Sequence, residues 1–335
     1  MSSEFGKLVK LTIFGQSHSP AIGVVIDGIP AGEVINMDEI HEFMARRMPS
    51  AAVYSTSRKE SDIPEILSGI VDGVTCGAPI TAVIHNNDVK SIDYGDLINT
   101  PRPSHSDYAA FMKYGNAHDI RGGGHFSGRL TAPLCFAGAV CKQILQRHGI
   151  TTAARIKSIG TATDELSMME EIKTAAADGD SVGGVIECVI NGIPAGLGEP
   201  MFDGLENKIS QAVFAVPAVK GIEFGSGFDG TKLRGSSNND VYYINNDTVR
   251  TVTNNNGGIT GGLSNGMPII FRAAIKPVPS ISKPQKTVDL RTMTDTIITI
   301  SGRHDSCIVP RALPCIESAA MIAVLDLFYE RRSRL

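Results

Sequence analysis

Apolar and polar positions divide the chain into short runs separated by glycine, proline and polar turns. Leu8 to Ile13 and Ile22 to Asp27 read as strands flanking a loop at Phe14-Gly15-Gln16-Ser17-His18-Ser19, and Gly28-Ile29-Pro30-Ala31-Gly32 closes the second. Asp38 is placed to cap a helix that runs to Arg47 and stops at Pro49. Ser50 to Asp62 is polar, Ile80 to His85 is a short strand opening after Pro79, and Asn86 to Tyr108 has little periodicity, as functional loops often do. The run from Thr131 to His148 has Thr131 at the N-cap and Pro133 in the first turn. It is apolar on most faces as far as Cys141, which predicts a helix buried all round. Beyond Gly149 the pattern predicts strands at Ala153 to Ile159, Gly183 to Ile190, Gly221 to Phe224, Val241 to Ile244, Met267 to Ile275 and Ile297 to Ile300. Helices are predicted at Asp164 to Ala177, Leu205 to Phe214 and Arg311 to Arg332, the last apolar on most faces between Ala319 and Leu325.

Each half thus carries strands, a glycine-rich loop and one long buried helix. A helix buried on all sides needs covering layers on both flanks. The fold class this predicts is α+β: a β-α-β sandwich, with antiparallel sheets covering a central layer of long buried helices, as an internal duplication would leave it. No fixed-period repeat is visible, and no polar linker separates the halves, so residues 1–335 read as a single domain. The absence of regular βαβ alternation argues against a Rossmann sheet or a TIM barrel.

The net charge of −4 provides no overall basic field for nucleic acid. Apolar runs fall short of the roughly 20 residues of a membrane span, and the first residues hold no signal-like apolar stretch, so the expected location is cytoplasmic. Six cysteines without a CxxC pair read as reduced, buried small hydrophobes, and no metal site is expected. Glycine is in excess, at 35 residues, which implies many left-handed backbone positions or close approaches of ligand to backbone.

Four loops concentrate Arg and His beside Gly: Gly15 to Ser19, Arg102-Pro103-Ser104-His105-Ser106-Asp107, Arg121 to Arg129 and Gly302-Arg303-His304-Asp305, with Arg311 shortly after. Arg46-Arg47 and Arg58-Lys59 add positive charge. Guanidinium groups bind phosphate and carboxylate through two parallel bonds, and a glycine-rich loop opening a helix adds backbone N–H donors. Each loop taken singly also fits an ordinary turn or cap, and His41, His85, His118 and His148 have only surface or capping roles. Their coincidence in loops favours a binding site. No P-loop is present. The one GxSxG, Gly262 to Gly266, lacks the preceding strand and following helix of a nucleophile elbow. Spacing alone gives an anion-binding enzyme with histidine acid/base groups and no defined reaction.

Taken together, these segments resemble the chorismate synthase family. The resemblance rests on Gly15 to Ser19 with Ile26 to Gly32; Arg102 to Asp107 with Lys113-Tyr114-Gly115; Gly123 to Pro133; Gly257 to Gly262 with Lys276-Pro277 and Ser280-Ile281; and Gly302 to Cys307 with Pro310-Arg311-Ala312 and Glu317. It implies a shikimate-pathway lyase that converts 5-enolpyruvylshikimate 3-phosphate to chorismate and phosphate by anti-1,4 elimination. The family requires reduced FMN without net redox change and is usually homotetrameric. By resemblance, His18 donates a proton to the leaving phosphate, His105 sets the flavin's protonation, and Asp305 takes up the C6 proton by relay through flavin N5. Arg46, Arg47, Arg58, Arg102 and Arg129 match substrate anions. His125, Phe126, Ser127, Ala218, Gly261, Lys276-Pro277-Val278-Pro279-Ser280 and Arg303 match FMN.

This chain departs from many members at His125-Phe126-Ser127 (usually Arg-Ser-Ser), at Pro217 (usually Asn) and at Val53 (usually Arg). No flavin-reductase segment is visible, so the resemblance implies the monofunctional kind, with NADPH acting only through an external reductase. A flavin- or nucleotide-dependent oxidoreductase and a non-catalytic phosphometabolite-binding oligomer are the alternatives on the same residues.

Overall fold

The computed structural model describes residues 3–48, 62–86, 98–300 and 305–334. The first half builds β1 (Glu4–Phe5), β2 (Lys10–Gly15), β3 (Ala21–Asp27), α1 (Met37–Ala45), β4 (Glu65–Ser68), a small ribbon of β5 (Ile70–Val71) and β6 (Val74–Thr75), and β7 (Ile80–His85). Five of these strands form an antiparallel sheet in the order β1-β2-β3-β7-β4. The short α2 (Asp107–Tyr114) and the long α3 (Thr131–Arg147) follow.

The second half contributes β8 (Thr151–Ile159), α4 (Glu165–Ala177), β9 (Gly184–Asn191), α5 (Leu205–Phe214), β10 (Val219–Phe224) and the single turns α6 (Gly227–Gly230) and α7 (Gly235–Asn238). Next come the pairs β11 (Tyr242–Asn245) with β12 (Thr248–Thr251) and β13 (Ile259–Thr260) with β14 (Leu263–Ser264), then β15 (Ile269–Ile275). Last are the pair β16 (Gln285–Asp289) with β17 (Thr294–Ile298), and α8 (Val309–Arg334). The second antiparallel sheet has the order β10-β15-β9-β8. The architecture is α+β.

The two long helices organise the core. Helix α3 packs on β3 and β7, α8 packs on β8 and β9, and the helices lie against each other. Their approach is close enough that a Cβ on Gly138 would stand 2.2 Å from the Ser318 Cβ and 2.4 Å from its Cα. Phe136, Val140, Ile144 and Leu145 of α3, with Ile316, Ile322, Val324 and Leu325 of α8, are almost fully buried. Within the helix at Val309–Ser333 an 18-residue window is apolar enough to cross a membrane (mean hydropathy 1.6), but 83% of that window is buried inside the protein, as in a core helix. The cysteines are free; five are buried and Cys76 is exposed.

Several local expectations shift. Asn36, not Asp38, caps α1: its side-chain oxygen accepts from the N–H groups of Asp38 and Glu39. Thr131 is the first residue of α3, and its hydroxyl donates to the Gly128 carbonyl at 2.6 Å. The last helix begins at Val309, two residues before its expected start. The expected irregular stretch Asn86 to Tyr108 ends at the start of α2, and residues 87–97 lie outside the described residues. The turn of the β11–β12 hairpin is Asn246-Asp247, both left-handed.

Candidate functional site

The loop Arg121–Phe126 between α2 and α3 is built on three consecutive left-handed glycines, Gly122, Gly123 and Gly124, with φ of 58°, 83° and 55°. Such angles strain residues that carry a Cβ, and at Gly122 and Gly124 sterics forbid one as well. A Cβ on Gly122 would lie 2.5 Å from Ser17 Oγ and 2.6 Å from His18 Cε1. A Cβ on Gly123 would come within 3.4 Å of His105 Cε1. Adjacent glycines therefore stand against the two imidazoles, which arrive from loops far apart in sequence. The Ser17 N–H donates to the Gly124 carbonyl at 3.0 Å, fastening the β2–β3 loop to the glycine loop. His125 bonds the Gly15 carbonyl through Nδ1 (2.7 Å) and Ser3 Oγ through Nε2 (2.7 Å), so in this chain it ties the glycine loop to the end of β2 and to the segment before β1.

His105 precedes α2 by two residues and belongs to a buried cluster. Its Nδ1 lies 2.5 Å from Asp107 Oδ1 and 3.0 Å from Arg102 Nη2. Arg102 donates to Asp107 through Nε and Nη2, each at 2.8 Å, and to Ser280 Oγ at 3.2 Å. Burial alone would raise the Asp107 carboxyl; the hydrogen bonds and charges of Arg102 and His105 outweigh it and hold the group well below the usual carboxylate range. Asp107 is thus the anion that orients His105.

Arg47 and Arg129, 4% and 7% exposed, converge on the carboxylate of Asp62. Asp62 itself has left-handed backbone (φ 48°). Burial pushes its carboxyl up, and the two guanidinium groups pull it below the ordinary value. Arg47 also approaches Thr131 Oγ at 3.3 Å. Arg129 Nε donates to Asn86 Oδ1 at 3.1 Å, and Asn86 Nδ2 in turn donates to the carbonyls of Gln16 and Ser19, on either side of His18. Arg311 Nε donates to the Arg47 carbonyl (2.9 Å) and its Nη1 to Asp305 Oδ2 (2.7 Å). A continuous polar chain therefore runs from the His18 loop through Asn86, Arg129, Asp62, Arg47 and Arg311 to Asp305.

Lys276 donates through Nζ to the Ser104 carbonyl (2.6 Å), next to His105, and through its backbone N–H to Ala218 (2.9 Å). Desolvation, with Lys220 nearby, lowers its ammonium pKa. Ala218 is left-handed (φ 73°), and Ser280 is buried. Between Lys276 and Ser280, Pro277 is exposed, the Val278 carbonyl accepts from Ser181 Oγ at 2.7 Å and the Pro279 carbonyl accepts from Gln285 at 3.3 Å. Gly261 is exposed, with open space where a Cβ would stand. Phe126 is 40% exposed and tilted against Tyr114, with ring centroids 6.5 Å apart. Ser127 Oγ accepts from the Arg129 N–H at 3.3 Å.

Arg46 faces elsewhere. Its guanidinium grips the buried Glu317 of α8 through Nη1 (2.9 Å) and Nη2 (2.7 Å), and Glu317 also accepts from the Ala154 N–H at 2.9 Å. Arg58, Val53 and Arg303 lie outside the described residues. The loop motifs did not mark Asp62 and Asn86. Asp62 ends a polar stretch and reads as a solvated residue, and nothing local signals a partner 67 residues away. Asp107 stands inside a quoted motif without an assigned role; its spacing of two from His105 and five from Arg102 is the signal that could have found it.

A sequence profile described as chorismate synthase matches residues 9–329. The chain belongs to the chorismate synthase family. Relatives named chorismate synthase include one from Dehalococcoides mccartyi, 46% identical over 98% of this chain and 96% of its own length. One from Thermococcus kodakarensis is 43% identical over 98% of both chains. Among solved structures, a crystal structure of chorismate synthase superposes with a TM-score of 0.73 at 26% identity, covering 98% of this chain and 93% of that one. Membership makes the chain a carbon–oxygen lyase of aromatic amino acid biosynthesis. At His125-Phe126 this chain has a loop tie and a partly exposed ring.

Proposed function

We propose that the chain converts 5-enolpyruvylshikimate 3-phosphate to chorismate and inorganic phosphate by anti-1,4 elimination with reduced FMN. The observation that carries this reading is the meeting of His18 and His105 at adjacent glycines, Gly122 and Gly123, beside a network of buried arginines. A substrate with two carboxylates and a phosphate requires such a cationic lining, and guanidinium forks suit both anion types. Arg47, Arg102 and Arg129 bind and orient those anions. His18 delivers a proton to the departing phosphate oxygen. The Asp305 carboxylate is the acceptor for the proton lost from C6. Positioned proton donors and acceptors of this kind contribute about 10²–10⁴ in rate each.

The donor set fits a flavin mononucleotide. Lys276 and Ser280 offer a cation and a hydroxyl, Gly261 leaves open space beside backbone, and the exposed face of Phe126 suits a planar ring. Reduced flavin, when bound, supplies the electron density that makes loss of phosphate feasible without net oxidation. The layered reading of two sheets covering two long helices belongs to this proposal, as do a homotetrameric assembly, a cytoplasmic location and delivery of reduced flavin by a separate NADPH-dependent reductase.

Phosphate release by His18→Ala and Asp305→Asn tests the assignment. Each is expected to lower kcat by about 10²–10⁴; wild-type turnover in both variants would overturn it.

A further inference from the structure

We propose that Arg311 is a positioning residue for the elimination, holding Asp305 and the Arg47 backbone in one fixed geometry. This rests on the reading of Asp305 as proton acceptor. Arg311 sits in the first turn of α8, where the positive end of the helix dipole disfavours a cation. Helix stability therefore does not explain its presence there. Its two arms do. Nη1 donates to Asp305 Oδ2 at 2.7 Å, and Nε donates to the Arg47 carbonyl at 2.9 Å. The side chains of Arg311 and Asp305 are only 15% and 13% exposed, so the pair is largely withdrawn from screening water. The Arg47 side chain is itself clamped to Asp62 and close to Thr131.

One guanidinium thus fixes the distance between the group that would take up the proton and the segment that would hold a substrate anion. Its base is rigid: α8 is core over most of its length, and the Ala312 N–H closes the first turn on the Ile308 carbonyl at 3.0 Å. The planar fork makes both bonds from one fixed frame; a lysine ammonium at the same position reaches one partner but not both in that geometry.

The test is a double-mutant cycle with Arg311→Met, Arg311→Lys and Asp305→Asn, reading kcat and KM for chorismate formation with reduced FMN. Arg311→Met is expected to lower kcat about 10- to 100-fold, within the range of a misplaced acid/base group, with a smaller rise in KM. Arg311→Lys, which keeps the charge and serves where methionine loosens the fold, is expected to recover part of that loss. In the Asp305→Asn background, Arg311→Met should change kcat by less than about threefold, because residues acting through one another are not additive. A merely structural arginine would cost the same factor in both backgrounds, and that result overturns the proposal. So does wild-type kcat in Arg311→Met beside an impaired Asp305→Asn. Wild-type kcat in Asp305→Asn would instead overturn the reading of Asp305 on which this one rests.

Discussion

Arg46 and Arg47 are neighbours in sequence with opposite assignments in space. Arg46 neutralises the buried Glu317 between α8 and β8, whereas Arg47 turns to Asp62 and Arg129. Arg47→Met is expected to raise KM by about tenfold or more, the cost of a lost charge-assisted bond to a substrate anion. Arg46→Met is expected to lower the unfolding midpoint while leaving KM within about twofold, because what it strands is a buried carboxylate. Steady-state kinetics and urea melts on the two variants check this; a larger KM effect in Arg46→Met would contradict it. Asp107 gives a pH signature. Its folded-state pKa lies below the ordinary value of 3.8, so its contribution to stability is complete above that value and is lost as pH falls through the depressed one. Asp107→Asn should be less stable than wild type by about 3–5 kcal/mol at pH 7, and the gap should narrow progressively as pH falls below 3.8. Urea unfolding from pH 7 to 2 measures it; parallel curves would contradict the pairing with Arg102. Asp62 does not stand out in the sequence, where a lone Asp in a polar run is ordinary, while His18, His105 and the arginines were legible because they cluster in short loop segments.

The glycine loop and the helix crossing are where backbone sterics decide function and stability. Gly122→Ala forces a Cβ onto Ser17 and the His18 ring at φ 58°. It should cost about 1–2 kcal/mol in stability from the left-handed backbone alone and displace His18, lowering kcat at least tenfold. Gly128→Ala, two residues beyond that loop with nothing within 4 Å of the added Cβ, should be near wild type in both. Gly138→Ala should destabilise by about 1–3 kcal/mol, as overpacking does. Ser318→Gly should not restore it, because the Ser318 Cα itself stands 2.4 Å from the new methyl. Thermal melts of the four variants check these orders. The long helices were legible because burial on all faces leaves no polar stripe. Helix α2 was not, since only Asp107 and Ala110 are buried in its eight residues. Nor was the pairing of β16 with β17, whose alternation is partial and whose partners are set by the turn between them.

The candidate site draws on both halves of the chain. His18, Arg47 and Asp62 come from connections between strands of the first sheet and Arg102, His105 and Arg129 from the segment between that sheet and α3, while Ala218, Lys276, Ser280, Asp305 and Arg311 come from the second half. That convergence was legible only through the resemblance; spacing gave four cationic loops and no reaction, because long-range contacts leave no mark on local periodicity. The β11–β12 hairpin exposes Tyr242, Ile244 and Val249, an apolar face that suits association of copies. Light scattering should give four times the 35.6 kDa chain mass, and a monomer would contradict the assembly. The most direct measurement is an anaerobic mixture of the protein, chemically reduced FMN and 5-enolpyruvylshikimate 3-phosphate, following chorismate, phosphate and the flavin spectrum together. Chorismate and phosphate should appear in equal amounts over many turnovers with the flavin still reduced at the end. Absence of chorismate, or flavin oxidised in step with product, would contradict the account.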